Sequence, residues 1–276
     1  MRPIERPPLG AIREAAERLE GVALRTPVVA LDDDLAPEGA RVFLKLENLQ
    51  PIGSFKLRGA GNAMALAGPE ALAEGVYTAS AGNMAQGVAW NARRMGVPCR
   101  VVVPDTAPAT KLEALRRLGG EALPRPFDDW WRVLVEHGDP SLPGLFIHPV
   151  ADPAVIAGNG TIGLELLEQV PEVDTVLVPY GGGGLACGIA AAVQALKPGV
   201  RVLAVEVETA APLTASLAAG RPVTVERRAS FVDGIGGRGV LEPMWPLVRE
   251  LIDGAVVVSV EAIVEAMRAL VVRRRV

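Results

Sequence analysis

Val173-Asp-Thr-Val-Leu-Val-Pro-Tyr-Gly-Gly-Gly-Gly-Leu-Ala-Cys-Gly-Ile-Ala190 passes from a run of β-formers through four consecutive glycines into an alanine-rich segment. The first part reads as a strand and the last as a helix, with the glycines at the junction. A second apolar run, VRVLAVEVE at 200–208, follows that helix. The same alternation runs upstream through RVFLKLE (41–47), a helix from about Ser54, VYTAS (76–80), a helix to Arg94 and CRVVVP (99–104). It continues through helix 109–120, a short strand and helix around 127–138, LFIHPV (145–150) and the helix GTIGLELLEQV. Strands apolar on both faces and separated by helices predict parallel sheets covered on both sides. The fold class is therefore α/β, with two parallel or mostly parallel open sheets covered by helices. One βαβ group, 51–145, reads as a small domain inserted between the two parts, 1–50 and 146–276, of a larger one. The helical segment 260–276 has no strand after it.

The glycine cluster 181–184 is an anion cradle by its chemistry. Glycines let amides turn inward, and the start of the following helix adds partial positive charge. Two guests fit it. Gly181, Gly183 and Ala186 also satisfy a dinucleotide fingerprint, with Glu206 twenty residues on, which supports a nicotinamide oxidoreductase. A second cradle, Thr78-Ala-Ser-Ala-Gly-Asn-Met-Ala-Gln-Gly87, offers the amides of Ser80 to Met84 and the side-chain amide of Asn83.

The stretch PIGSFKLRGA (51–60) sets Lys56 between a Gly-Ser turn and the first turn of a helix. Of the 28 basic residues only four are lysines, at 45, 56, 111 and 197. A guanidinium cannot serve as an amine nucleophile, so where arginine carries most of the positive charge the few lysines are candidates for amine chemistry.

The totals exclude other classes. A net charge of −4 gives no footprint for nucleic acid. No segment has the length of a membrane span or the form of a signal peptide, which predicts a cytoplasmic protein. Cys99 and Cys187 lie in apolar runs without CxxC spacing and read as buried free thiols. His137 and His148 form no metal or triad motif and read as structural. Asp32-Asp33-Asp34 reads as a solvated loop and Asp128-Asp129 as a helix cap; of Trp130 and Trp131, one should pack and the other cover a surface.

Taken together, RTPVV (25–29), LKLENLQPIGSFKLRGA (44–60), SAGNMAQGVA (80–89), HPVADPAVIAGNGTIGLELLEQ (148–169), VPYGGGGLACGIA (178–190) and FVDGIGGR (231–238) resemble the fold-type II pyridoxal-phosphate enzymes, in the threonine/serine dehydratase group. The resemblance implies a tryptophan synthase β-like fold, pyridoxal 5'-phosphate as cofactor, an amino-acid substrate and a homodimer. It implies that Lys56 carries the cofactor covalently, with Phe55 packing by the ring and Asn83 bonding its 3′-oxygen. Gly181, Gly182, Gly183 and Gly184 would hold the phosphate, and Ser80, Ala81, Gly82, Asn83 and Met84 the substrate carboxylate. The implied activity is dehydration and deamination of L-threonine or L-serine; a racemase, a β-replacement enzyme or an inactive cofactor-binding relative are the alternatives. Three departures matter. Ala81 stands where racemases carry a second, serine acid/base, so dehydration is favoured. Pro212 replaces a metal-binding carboxylate, so no metal is expected there. Met84 replaces the usual histidine. The family also implies a further strand whose serine faces the pyridine nitrogen; residues up to Val276 carry no such segment, and the expectation is a cofactor domain truncated at its C-terminus.

Overall fold

A computed structural model describes residues 2–31 and 34–275. Helix α1 (Leu9–Arg18) leads to strands β1 (Val28–Ala30) and β2 (Phe43–Lys45). Then come α2 (Lys56–Ala71), β3 (Val76–Ala79), α3 (Asn83–Met95), β4 (Cys99–Pro104), α4 (Ala109–Arg117), β5 (Glu121–Arg125), α5 (Phe127–Val135) and β6 (Leu145–Phe146). The chain continues through α6 (Pro153–Gln169), β7 (Thr175–Pro179), α7 (Gly184–Leu196), β8 (Arg201–Val207), α8 (Pro212–Ala219), α9 (Trp245–Leu251), β9 (Gly254–Val258) and α10 (Val260–Ala269).

The predicted alternation yields one four-stranded sheet, ordered β5-β4-β3-β6, and one three-stranded sheet, β7-β8-β9, both parallel throughout. In the first, Val76, Val101 and Val103 pack on one side with Met84 and Val88 of α3. Tyr77 and Val102 pack on the other with Val133 and Leu134 of α5. Cover on both faces explains its unbroken apolar strands.

The second sheet differs from that expectation. Val178, Val202 and Ala204 pack into the core with Ala190 and Val193 of α7. The opposite face, on which Leu177 aligns with Leu203 and Val205 with Val256, is largely open: Leu177 is 61 % exposed and Val256 41 %. Segment 41–47 does not join this sheet either. Its three strand residues pair antiparallel with β1 as a separate ladder, because β1 and β2 are close in sequence and bond to each other. Asp128 and Asp129 are not a cap: α5 starts at Phe127 after Pro126, and both aspartates sit in its first turn, where they favour the helix dipole. Trp130 packs against the core and Trp131 is exposed. Both cysteines are buried and free. Asp32 and Asp33 lie outside the described residues, while Asp34 pairs with Arg273.

Helix α6 is the spacer that positions everything else. A Cβ on Gly158 would lie 2.6 Å from the carbonyl of Arg58 in α2, and one on Gly188 in α7 would lie 2.4 Å from the carbonyl of Ile156. Only glycine permits such approach, so α2 and α7 close onto opposite flanks of α6. The two helices whose first turns carry Lys56 and Gly184 are thereby locked into one block.

Candidate active site

Gly53 adopts φ +68° and its amide bonds to the Gln50 carbonyl, which turns the chain into α2. The Lys56 amide then donates to Ser54 Oγ (3.3 Å), so the Gly-Ser pair shapes the helix entry as read from the sequence. Lys56 Nζ donates to the Pro149 carbonyl at 2.9 Å and lies 5.3 Å from the centre of the Phe55 ring. Phe55 itself packs against the large core. Burial lowers the Lys56 pKa to about 8, because desolvation penalises the ammonium form. The neutral amine therefore gains population above pH 8 instead of above the ordinary 10.5. Capture of a carbonyl reagent at Lys56, followed by peptide mapping across pH, should show its midpoint near 8; a midpoint near 10 would contradict the buried environment.

The segment 149–150 joins this amine to the glycine loop. A Cβ on Gly182 would meet the Val150 side chain at 2.6 Å, and one on Gly184 would meet the Val150 carbonyl at 3.1 Å. Gly183, at φ +95°, is the N-cap of α7, whose first-turn amides have no intrahelical acceptors. Asn159 Nδ2 donates to the Gly184 carbonyl at 3.3 Å. The Tyr180 hydroxyl is buried without a hydrogen-bond partner among the described residues, 3.1 Å from where a Cβ on Gly183 would sit. A helix N-terminus stripped of Cβ atoms, with an orphaned donor at its base, suits a phosphate.

Of the second cradle, Gly82 is the N-cap of α3 and its amide donates to Ser80 Oγ (3.2 Å). Asn83 opens the helix and is exposed, whereas Met84 is buried in the core. A Cβ on Gly87 would lie 3.0 Å from the Lys56 carbonyl, so α3 crosses α2 beside the lysine. Asn83 lies just over one helical turn before that crossing, about 6 Å along the axis.

The nicotinamide reading loses its acidic residue. Glu206 is fully buried and its oxygens accept from Leu213 N (2.8 Å), Thr214 N (2.7 Å) and Thr214 Oγ1 (2.7 Å), which spends the carboxylate on the start of α8. Among the described residues no group of three His, Cys, Asp or Glu side chains is placed to hold a metal ion.

Sequence reasoning missed the support of the site. Arg58, 1 % exposed, bonds to Glu47, Glu165, Thr161 and the Leu24 carbonyl, directly after the lysine turn. His148 adjoins Pro149. Their signals were faint: an arginine two residues beyond Lys56, and a histidine closing an apolar run.

A half-buried amine whose pKa is lowered to about 8, joined through residues 149–150 to an anion cradle, suits a phosphate-bearing aldehyde. A family model described as pyridoxal-phosphate dependent enzyme matches residues 19–276, and the chain belongs to that family. Its cofactor is pyridoxal 5'-phosphate. It is 41 % identical over 270 residues to an L-threonine ammonia-lyase of Geobacter sulfurreducens, covering 97 % of this chain and 67 % of that one. It is 37 % identical over 266 residues to a serine racemase of Oryza sativa subsp. japonica, covering 94 % and 76 %. The solved maize serine racemase superposes with a TM-score of 0.90 at 37 % identity, covering 99 % of this chain and 83 % of that one. The solved T.th. threonine deaminase gives 0.82 at 38 %, covering 98 % and 87 %. The chain spans about two thirds of the length of the threonine ammonia-lyases it matches, 67 % and 66 %.

Proposed function

We propose that this chain carries the catalytic centre of an ammonia-lyase that converts L-threonine, L-serine or both to a 2-keto acid and ammonia. The observation that supports it most is the convergence of Lys56 Nζ and the glycine loop on residues 149–150. When bound, the cofactor supplies a pyridine ring that accepts the electron pair left at the α-carbon. Lys56 would anchor that group through its amine and, once freed, remove the α-proton, a role that suits an amine with a lowered pKa. Gly181 to Gly184 would hold the phosphate through main-chain amides. Ser80 to Asn83 would orient the substrate carboxylate at the start of α3, and the Asn83 amide would bond the cofactor's 3′-oxygen. Met84, whose side chain is buried in the core, would contribute only its first-turn amide to that carboxylate. The β-hydroxyl leaves as water and a water is regained at the α-carbon, so the net change is loss of ammonia.

Residues 51–145 would form the smaller domain, contributing Lys56 and Asn83, between the parts 1–50 and 146–276 of the larger one, which contributes the glycine loop, in a homodimeric cytoplasmic enzyme. No helix among the described residues is long and apolar enough to cross a membrane.

Racemisation is the second reading, since serine racemases match at similar identity. It needs a proton donor on the face opposite Lys56. Ala81 occupies the place of that donor by its position in the loop and packs its methyl group against the core. With L-serine the expected products are pyruvate and ammonia with no D-serine on chiral analysis; accumulation of D-serine would favour the racemase.

A further inference from the structure

We propose that His148 is a positioning residue that holds the Pro149 carbonyl against Lys56 and Val150 against the glycine loop, in one fixed tautomer. The inference rests on the reading that Lys56 and Gly181–Gly184 bind the cofactor.

The imidazole is 2 % exposed. Its Nδ1 accepts from the amides of Val150 (3.0 Å) and Ala151 (2.7 Å), and its Nε2 lies 3.2 Å from the Leu134 carbonyl. Amides only donate and a carbonyl only accepts, so Nδ1 must carry the lone pair and Nε2 the proton. That single tautomer satisfies all three partners. The ring thereby gathers residues 149–151 around itself and anchors them to the end of α5. The bend turns the Pro149 carbonyl to Lys56 Nζ and seats Val150 on Gly182 and Gly184. The neighbouring His137 adds a second tether: its ring centre is 4.3 Å from that of His148, and its Nε2 lies 3.0 Å from the Ala151 carbonyl. Burial, with His137 and Lys56 nearby, pushes the His148 pKa down to about 3, so the lone pair on Nδ1 persists at neutral pH.

A histidine that merely fills the core would change stability alone. One that shapes the 149–151 bend would change both the amine and the cradle, although it touches neither. Asparagine can place an acceptor oxygen where Nδ1 sits, whereas glutamine carries its oxygen one bond farther out. The test therefore compares H148N and H148Q in the full chain stripped of cofactor, with thermal midpoints recorded for each. Two probes separate the ends of the site: inorganic phosphate, titrated calorimetrically for the cradle, and pyridoxal without its phosphate, followed by absorbance for its rate of capture at Lys56. A misplacement of about 1 Å in such a site costs up to roughly 100-fold. H148Q is expected to lose at least about 10-fold in both phosphate affinity and capture rate, and H148N to stay within about threefold of the unaltered chain. Equal behaviour of the two variants, or a fall in midpoint with both probes unchanged, would overturn the proposal. Should H148Q not fold, H148N decides: a tenfold loss in either probe refutes the role. An unaltered chain that captures no pyridoxal at Lys56 would refute the cofactor reading itself, separately from any difference between the variants.

Discussion

Lys56→Ala is expected to lower turnover of L-threonine or L-serine by about 10²- to 10⁴-fold or more, the usual worth of a positioned proton-transfer group, while the fold persists. The four lysines make this prediction specific. Lys45 is paired with Glu165, and Lys111 with Asp233. Lys197 bonds the carbonyls of Pro171 and Val173 at the C-terminal end of α7, the far end from the glycine loop. Lys56 alone is both half-buried beside the cradle and held by a carbonyl instead of a carboxylate. Burial lowers the Lys45 pKa as well, but the Glu165 carboxylate opposes that shift, whereas no carboxylate opposes it at Lys56. Lys56→Arg should be as inactive as the alanine variant, because it restores charge and bulk without an amine that can attack a carbonyl. Steady-state kinetics, with circular dichroism to confirm folding, measures both. Activity of Lys56→Arg within tenfold of the unaltered chain would show that the residue serves only as a charge.

Arg58→Met should produce the largest loss of stability. The Arg58 Nε and Nη2 donate to Glu47 at 2.9 Å each, and Nη1 and Nη2 donate to Glu165 at 2.6 and 3.1 Å. Burial acts to lower its pKa, but the hydrogen bonds and charges of Glu47 and Glu165 outweigh that and hold it above the ordinary arginine value. Methionine fills much of the volume and leaves Glu47 without a cation in a largely covered site; Glu165 retains Lys45. Removing one partner from a buried pair costs about 3–5 kcal/mol. For a chain of this size that lowers the thermal midpoint on the order of 10 °C. Calorimetric unfolding of the two proteins decides it, and a drop below about 2 °C would mean that the network is relaxed by water or by movement of Glu47. Arg58 also fixes the first turn of α2 to α6 and to the 3-10 turn Glu47–Leu49, so part of the lost order would reach Lys56.

Much of this was legible because its causes are local. Strand-glycine-helix junctions, a lone lysine after Gly-Ser and an alternation of apolar runs with helices each follow from backbone chemistry within a dozen residues. What the sequence did not disclose depends on contacts between distant segments. The antiparallel β1–β2 ladder breaks the expected second sheet, and β9 follows the short helix α9 in a run, GAVVV, that periodicity alone does not distinguish from a helix edge. The burial of Glu206 at the start of α8 cannot be inferred from its distance to the glycine fingerprint. The Arg58 network draws on residues 24, 47, 161 and 165, whose separations in sequence follow no motif. His148 had a visible position but no visible partner, since two of its three bonds go to its own neighbours and the third to Leu134.

The central claim is that Lys56 carries pyridoxal 5'-phosphate. Borohydride reduction of the protein loaded with that cofactor, followed by digestion and mass mapping, tests it directly. The account predicts a reduction-stable phosphopyridoxyl label on the peptide containing Lys56 and loss of the visible chromophore on reduction. A label confined to Lys45, Lys111 or Lys197, or a chromophore that survives reduction with Lys56 unmodified, would contradict it.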